Sequence, residues 1–194
     1  MNAVTLVGFP DGPERRPATE QWRPVASSPP SGCGHGRSAG RLDERARRLS
    51  HEELAVAHHL AAEGHHAASL REHPGNGPVA DLEVCGQAVE VKSWLPLPQR
   101  DGRVPGPRSV VNKLLSARDQ AATVVLYARG SGLTETAARA GMAEYAGRRD
   151  GGKVRTVRIL GDGFDLGWER TRVAERSASA DGPRLLGPEQ ALGR

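Results

Sequence analysis

Apolar and polar positions alternate most regularly between Val79 and Trp94, V-A-D-L-E-V-C-G-Q-A-V-E-V-K-S-W. Side chains two apart in a strand share a face. Ala80, Leu82 and Val84 therefore lie on one side of a first strand, with Asp81 and Glu83 on the other. In a second strand Val89 and Val91 oppose Glu90 and Lys92. Gly86-Gln87 between them suits a type II′ turn with glycine at its first central position. That register sets Glu83 across from Glu90 and Asp81 across from Lys92. The predicted hairpin then has one apolar face and one face carrying three carboxylates and an ammonium.

Helical spacing surrounds this hairpin. Ser50 and Glu53 form an S-x-x-E capping box ahead of Leu54, Ala57, His58, Ala61 and Ala62, and Gly64 ends that helix. His65 to Leu70 reads as a short strand. Ser109 to Ala122 is a helix with Val110, Leu114, Ala117 and Ala121 on its stripe, followed by a buried strand at Thr123 to Ala128. Thr134 to Arg148 is a helix with Ala138, Met142 and Tyr145 inward, and Val154 to Leu160 is the last clear strand. Phe164, Leu166 and Trp168 should pack back on the core. The order predicts an α/β fold, a mixed sheet of about five strands flanked by helices. Strands 123–128 and 154–160 should run parallel through a right-handed crossover. Residues 1–48 are rich in Arg, Pro and Gly, cannot bury enough surface to offset their ordering entropy, and are expected to be disordered. The folded domain is expected over 49–172 and a loose tail over 173–194.

Composition adds a modest bias. The chain has 194 residues, 24 Gly, 14 Pro, 4% aromatic residues and a net charge of +4. With lysine only at 92, 113 and 153, arginine supplies most of that charge, which mildly favours a polyanionic partner. Nothing approaches an apolar run of the length a membrane span requires. No apolar segment follows a basic start. Cys33 and Cys85 make neither a disulfide framework nor a zinc site, so a cytoplasmic, reduced setting is expected. His51, His58 and His65, like His59, His66 and His73, are seven apart, but Gly64 breaks the helix that would align them.

The acidic face carries the chemistry. Asp81 and Glu90 could share a hard divalent cation, Mg²⁺ or Mn²⁺, which takes oxygen ligands. Lys92 could orient or deprotonate a water, or neutralise a pentavalent phosphate. Glu53 could complete the shell through a bound water if its helix packs on the sheet. Arg100, Arg103 and Arg108 in the loop 95–108 would meet an approaching phosphate backbone.

At these residues the chain resembles the PD-(D/E)xK nuclease superfamily, which includes restriction endonucleases, junction resolvases and tRNA-cleaving toxins. The resemblance spans roughly 49–168. It rests on Glu53 in E-L-A-V-A-H-H-L-A-A-E-G, on Ala80-Asp81, on V-E-V-K at 89–92, and on N-K-L-L-S-A-R-D-Q-A-A-T-V-V-L thereafter. The family's proline is absent before Asp81. The chain is also similar to C-terminal tRNase domains of contact-dependent growth-inhibition toxins, in element order and in the ending Gly161 to Asp165, G-D-G-F-D. The resemblance implies a restriction-endonuclease-like fold and a metal-dependent nuclease. Glu53, Asp81, Glu90 and Lys92 would be catalytic, Asp81 and Glu90 would hold the metal, and Lys113 and Gln120 would be accessory substrate contacts beside Arg100 and Arg103. RNA, tRNA above all, is slightly favoured over DNA, and a neutralising protein partner is implied. Two other classes stay open: a non-catalytic nucleic-acid-binding module, and an interaction protein whose acidic face docks a basic partner. Capping alone explains Glu53, and an exposed salt-bridged sheet face would explain Glu90 with Lys92.

Overall fold

The computed structural model describes residues 20–26, 40–71, 79–97, 102–148 and 152–172. In chain order these form β1 (Glu20–Val25), β2 (Arg41–Asp43), α1 (His51–Ala62), β3 (His66–Ser69), β4 (Leu82–Val84) and β5 (Gln87–Ser93). They continue with α2 (Pro107–Ala117), β6 (Thr123–Tyr127), α3 (Glu135–Ala146), β7 (Thr156–Leu160) and β8 (Asp165–Arg172). The strands make one mixed sheet in the order β1-β8-β7-β6-β5-β4-β3-β2. The α/β class and the helices on both faces agree with the sequence pattern. So does the parallel pair β6/β7, and β5 also runs parallel to β6.

The sheet has eight strands rather than about five. Part of the segment expected to be disordered contributes two of the additional ones, β1 and β2, and β8 is the third. A polar, Pro-rich stretch has no apolar period of its own, yet the edge of a formed sheet supplies its backbone partners. Arg41, Leu42 and Asp43 pair in parallel with His66, Ala67 and Ala68, and half-buried Leu42 rests on the core. Trp22 of β1 meets the Tyr145 ring edge-on at 5.8 Å. The remainder of the predicted disordered segment and the tail from 173 lie outside the described residues. Residues Glu20–Thr171 form one compact unit.

The hairpin register also differs. Cys85 (φ 51°) and Gly86 (φ 81°) both lie in the left-handed region, so they are the two central residues of a type I′ turn. Leu82 pairs with Val89, Glu83 with Ala88 and Val84 with Gln87. Glu83 is therefore opposite Ala88, not Glu90, and Asp81 precedes β4 in a bend instead of facing Lys92 from within a strand. The shift is two residues, so every side chain keeps its predicted face. The Cys85 N–H donates to His66 O at 2.9 Å, which helps hold the unusual φ. Cys85 is disulfide-bonded, against the reduced setting expected from the sequence.

Two cores flank the sheet. Val56, Ala57 and Leu60 of α1 pack on Leu82, Val84, Val89, Val91, Val125 and Leu160. The Ser50–Glu53 capping box is formed as the sequence predicts. On the other face α2 and α3 bury Val110, Leu114, Met142 and Tyr145 against β6, β7 and β8, with Leu166 and Trp168 among them. Helix α2 starts at Pro107, two residues before the expected Ser109, because proline fits the first turn of a helix. Gly141 lets α3 approach α2, since a Cβ there would lie 2.6 Å from Val110 Cβ and 2.7 Å from Pro107 O. Gly141→Ala should therefore cost about 1–3 kcal/mol despite alanine's better helix propensity. Urea unfolding would show this as a lowered midpoint, and a raised midpoint would refute the close-approach reading. No helix among the described residues is long and apolar enough to cross a membrane.

Candidate active site

Strand β5 lies inside the sheet between β4 and β6, and consecutive Val89, Glu90 and Val91 are all buried, so both of its faces are covered near the middle. Val89 and Val91 point to the α1 core. Glu90 points the other way and is 1% exposed. Its Oε1 pairs with the Lys92 ammonium two residues along the same face. Its Oε2 is buried and has no hydrogen-bond partner among the described residues. An unpartnered carboxylate oxygen at that depth is costly unless something binds there.

Asp81 stands beside this pair. Val91 N–H donates to Asp81 Oδ2 at 2.9 Å, anchoring the bend before β4 to the middle of β5. The N-terminus of α1 brings in Glu53, whose Oε2 accepts from Ser50 N–H at 2.8 Å in the capping box. Capping and clustering are thus compatible roles for one side chain. Nothing in the sequence pattern marks Arg47. Its Nη1 donates to Glu53 Oε2 at 2.7 Å, and its Nη2 donates to Glu53 Oε1 at 3.1 Å and Asp81 Oδ1 at 3.2 Å. Its Nε donates to Leu70 O at 3.1 Å, fixing the guanidinium against the sheet end. Arg47 is one arginine among many in a polar stretch, and only the pairing of β2 brings it here.

Three carboxylates thus gather around two cations, Arg47 and Lys92. Burial pushes Glu53 upward, but the hydrogen bonds from Arg47 and Ser50 outweigh it and hold the group below the usual range. Burial raises Glu90 above that range against the pull of Lys92. Asp81 is pushed up to about 7, by burial first and then by the charges of Glu90 and Glu53, although the Val91 N–H acts the other way. The folded chain therefore holds a proton on Asp81 between roughly pH 4 and 7 that the unfolded chain has released. Stability from this group is present at the acid end and falls as pH rises through that window. In EDTA, wild type should lose stability relative to Asp81→Asn between pH 5.5 and pH 8. Parallel urea midpoints for the two proteins would show that Asp81 does not carry a raised pKa.

The donor set suits a hard divalent cation. Every available ligand is an oxygen, the Glu90 Oε2 is unpartnered among the described residues, and each carboxylate oxygen of Asp81 retains acceptor capacity beyond the bond it makes.

The predicted substrate contacts separate. Lys113 stands with its ammonium 5.9 Å from the Trp94 ring centre and lines a cleft of about 750 Å³ beyond the end of β5. Gln120 follows α2, and its buried Oε1 has no hydrogen-bond partner among the described residues. Arg103 and Arg108 are exposed, and Arg100 lies outside the described residues.

A second polar cluster, not foreseen in the sequence, occupies the α1 face of β7 and β8. The ligand atoms of His59, Glu63 and Asp165 lie within 4.8 Å of one another, as metal ligands do. Buried Arg158 already fills their centre: its Nη1 donates to Glu63 Oε2 at 2.7 Å and its Nε to Asp165 Oδ1 at 2.9 Å. Burial would lower the Arg158 pKa, but these two carboxylates hold it above its ordinary value. The G-D-G-F-D ending is structural in the same way. Asp162 accepts from Gly130 N–H at 2.9 Å, and Asp165 binds Arg158.

No family model matches the chain, and no curated protein matches it. Among solved structures it is similar to the CdiA-CT/CdiI toxin and immunity complex from Burkholderia pseudomallei, with 15% identity and a TM-score of 0.42 over 68% of this chain and 98% of that one.

Proposed function

We propose that this protein is a metal-dependent phosphodiesterase that cleaves nucleic acid. The observation that carries this reading is the buried Glu90 carboxylate, with one oxygen on Lys92 and the other unpartnered among the described residues, set beside Asp81 and its raised pKa. A salt-bridged, solvated sheet face would leave neither oxygen buried.

Asp81 and Glu90 would hold the cation, Mg²⁺ or Mn²⁺. When bound, it polarises a phosphoryl oxygen and acidifies a coordinated water. Lys92 is the group on this face that can reach from Glu90 toward substrate, being partly exposed where Glu90 is not. Its ammonium donates to a phosphoryl oxygen and neutralises the negative charge that grows as water adds to phosphorus. Arg47 positions Asp81 through Nη2 while its guanidinium forks onto Glu53, which the α1 cap holds in place. In the hydrolysis the P–O bond to one sugar breaks as the bond to water oxygen forms. The water's proton is released to solvent, and the leaving oxygen takes one back.

The test is incubation of the full chain with end-labelled RNA and DNA oligonucleotides in Mg²⁺, Mn²⁺ or EDTA. Cleavage in metal and none in EDTA is expected. Folded protein that cuts nothing, or that cuts equally well in EDTA, would overturn the proposal.

A further inference from the structure

The cleft beyond β5 has a composition of its own. Helix α2 turns its apolar stripe, Val110, Leu114 and Ala117, into the core. On the opposite side Asn112, Lys113 and Ser116 line the cleft, with Ser93, Trp94 and Leu95 as the other wall. Among the described residues no carboxylate lines it, and Lys113 is its single cation. Trp94 is buried as a floor beneath the Lys113 ammonium, while Leu95 stands 58% exposed at the rim. Ser93 directly follows Lys92 and lies three residues beyond Glu90, so the cleft opens roughly 10 Å along β5 from the proposed metal ligands.

These features do not fit a duplex. A duplex presents a continuous row of phosphates and is held by several cations along that row. A pocket-sized hollow with one cation, hydroxyls, an amide and an apolar rim fits a single nucleotide with an accessible base face and edge. Only an unpaired strand offers that. The volume, about 750 Å³, lies within the range of small-ligand sites. We infer that this cleft receives one unpaired nucleotide next to the scissile phosphate, so that the substrate is single-stranded or looped nucleic acid. Asn112 supplies both a donor and an acceptor to the base edge. Lys113 takes the adjoining phosphate, and Leu95 covers one base face. This inference rests on the phosphodiesterase reading, because the cleft is placed relative to Lys92.

Binding separates the two ideas. The full chain in EDTA would be titrated into a labelled single-stranded octamer and into the same sequence locked in a hairpin stem, with anisotropy as the readout. The single strand should bind about tenfold tighter or better. The double variant Asn112→Ala/Ser116→Ala should lose that preference, and Glu144→Ala, exposed on α3, should keep it. Both substituted cleft residues are exposed, so folding should survive, which urea midpoints check. Equal affinity for stem and single strand, or a double variant that binds like wild type, would overturn the inference. If the double variant behaves like wild type while metal-dependent cleavage occurs, the cleft fails and the phosphodiesterase stands. If the single-strand preference is real and disappears in the double variant but nothing is cut, the cleft stands and the phosphodiesterase fails.

Discussion

Glu90→Gln and Lys92→Ala should each lower metal-dependent cleavage by about 10²–10⁴-fold, the usual span for removing a positioned catalytic group. The two substitutions act differently. Glu90→Gln keeps the volume of a 1%-exposed side chain but removes the anionic oxygen that has no partner among the described residues. Metal affinity should fall with it, read by calorimetry with Mn²⁺. Lys92→Ala removes the ammonium and leaves Glu90 buried without its pair. Its metal affinity should hold or rise while turnover collapses. Stability should also move in opposite directions. Glu90 is held above the carboxylate range by its burial, so a neutral amide relieves a cost already present in the wild type. Glu90→Gln is expected to match or exceed wild type in urea, and Lys92→Ala to fall below it. Such a division, activity lost while stability is kept or gained, marks a group retained for chemistry against its own folding cost. Activity within tenfold of wild type in Glu90→Gln would remove Glu90 from the mechanism.

How much of this was legible follows from how local each signal is. The box at Ser50 and Glu53 needs only four residues, and the structure forms it as read. The faces of Glu90 and Lys92 follow from two-residue alternation and hold even though the register moved. The register itself depended on which two residues take positive φ. Cys85 does so beside Gly86, a choice that composition disfavours and that the contact with His66 helps hold. Strand β2 is three residues long and has meaning only against β3, so neither it nor the Arg47 that follows it could be read from pattern. Alternation marks Arg158 merely as one polar position within V-R-T-V-R-I-L. Its partner Glu63 is 95 residues away, and no window reaches that far.

Arg158 carries the other large expected effect. Arg158→Met should destabilise the chain by about 3–5 kcal/mol, the range for breaking a buried ion pair from one side. Arg158 is 5% exposed, and its guanidinium bridges Glu63, just past α1, to Asp165 on β8, with His59 at 3.1 Å. Without it two carboxylates face each other across the α1 interface. Arg158→Lys should recover under half of the loss, because an ammonium cannot serve both carboxylates with a planar fork. This cluster lies on the α1 face, whereas Glu90 and Lys92 point to the α2 face. Cleavage per folded molecule should accordingly stay near wild type in Arg158→Met at low temperature, with the effect confined to the urea midpoint. A midpoint within about 1 kcal/mol of wild type would show that the three-way pair contributes little net stability. The reverse pattern, stability kept and cleavage lost, would shift the chemistry to His59, Glu63 and Asp165, the set whose ligand atoms already stand within 4.8 Å. Glu90 would then be left as a buried acid with no task. The two families of variants, on opposite faces of one sheet, therefore decide together which face meets the substrate.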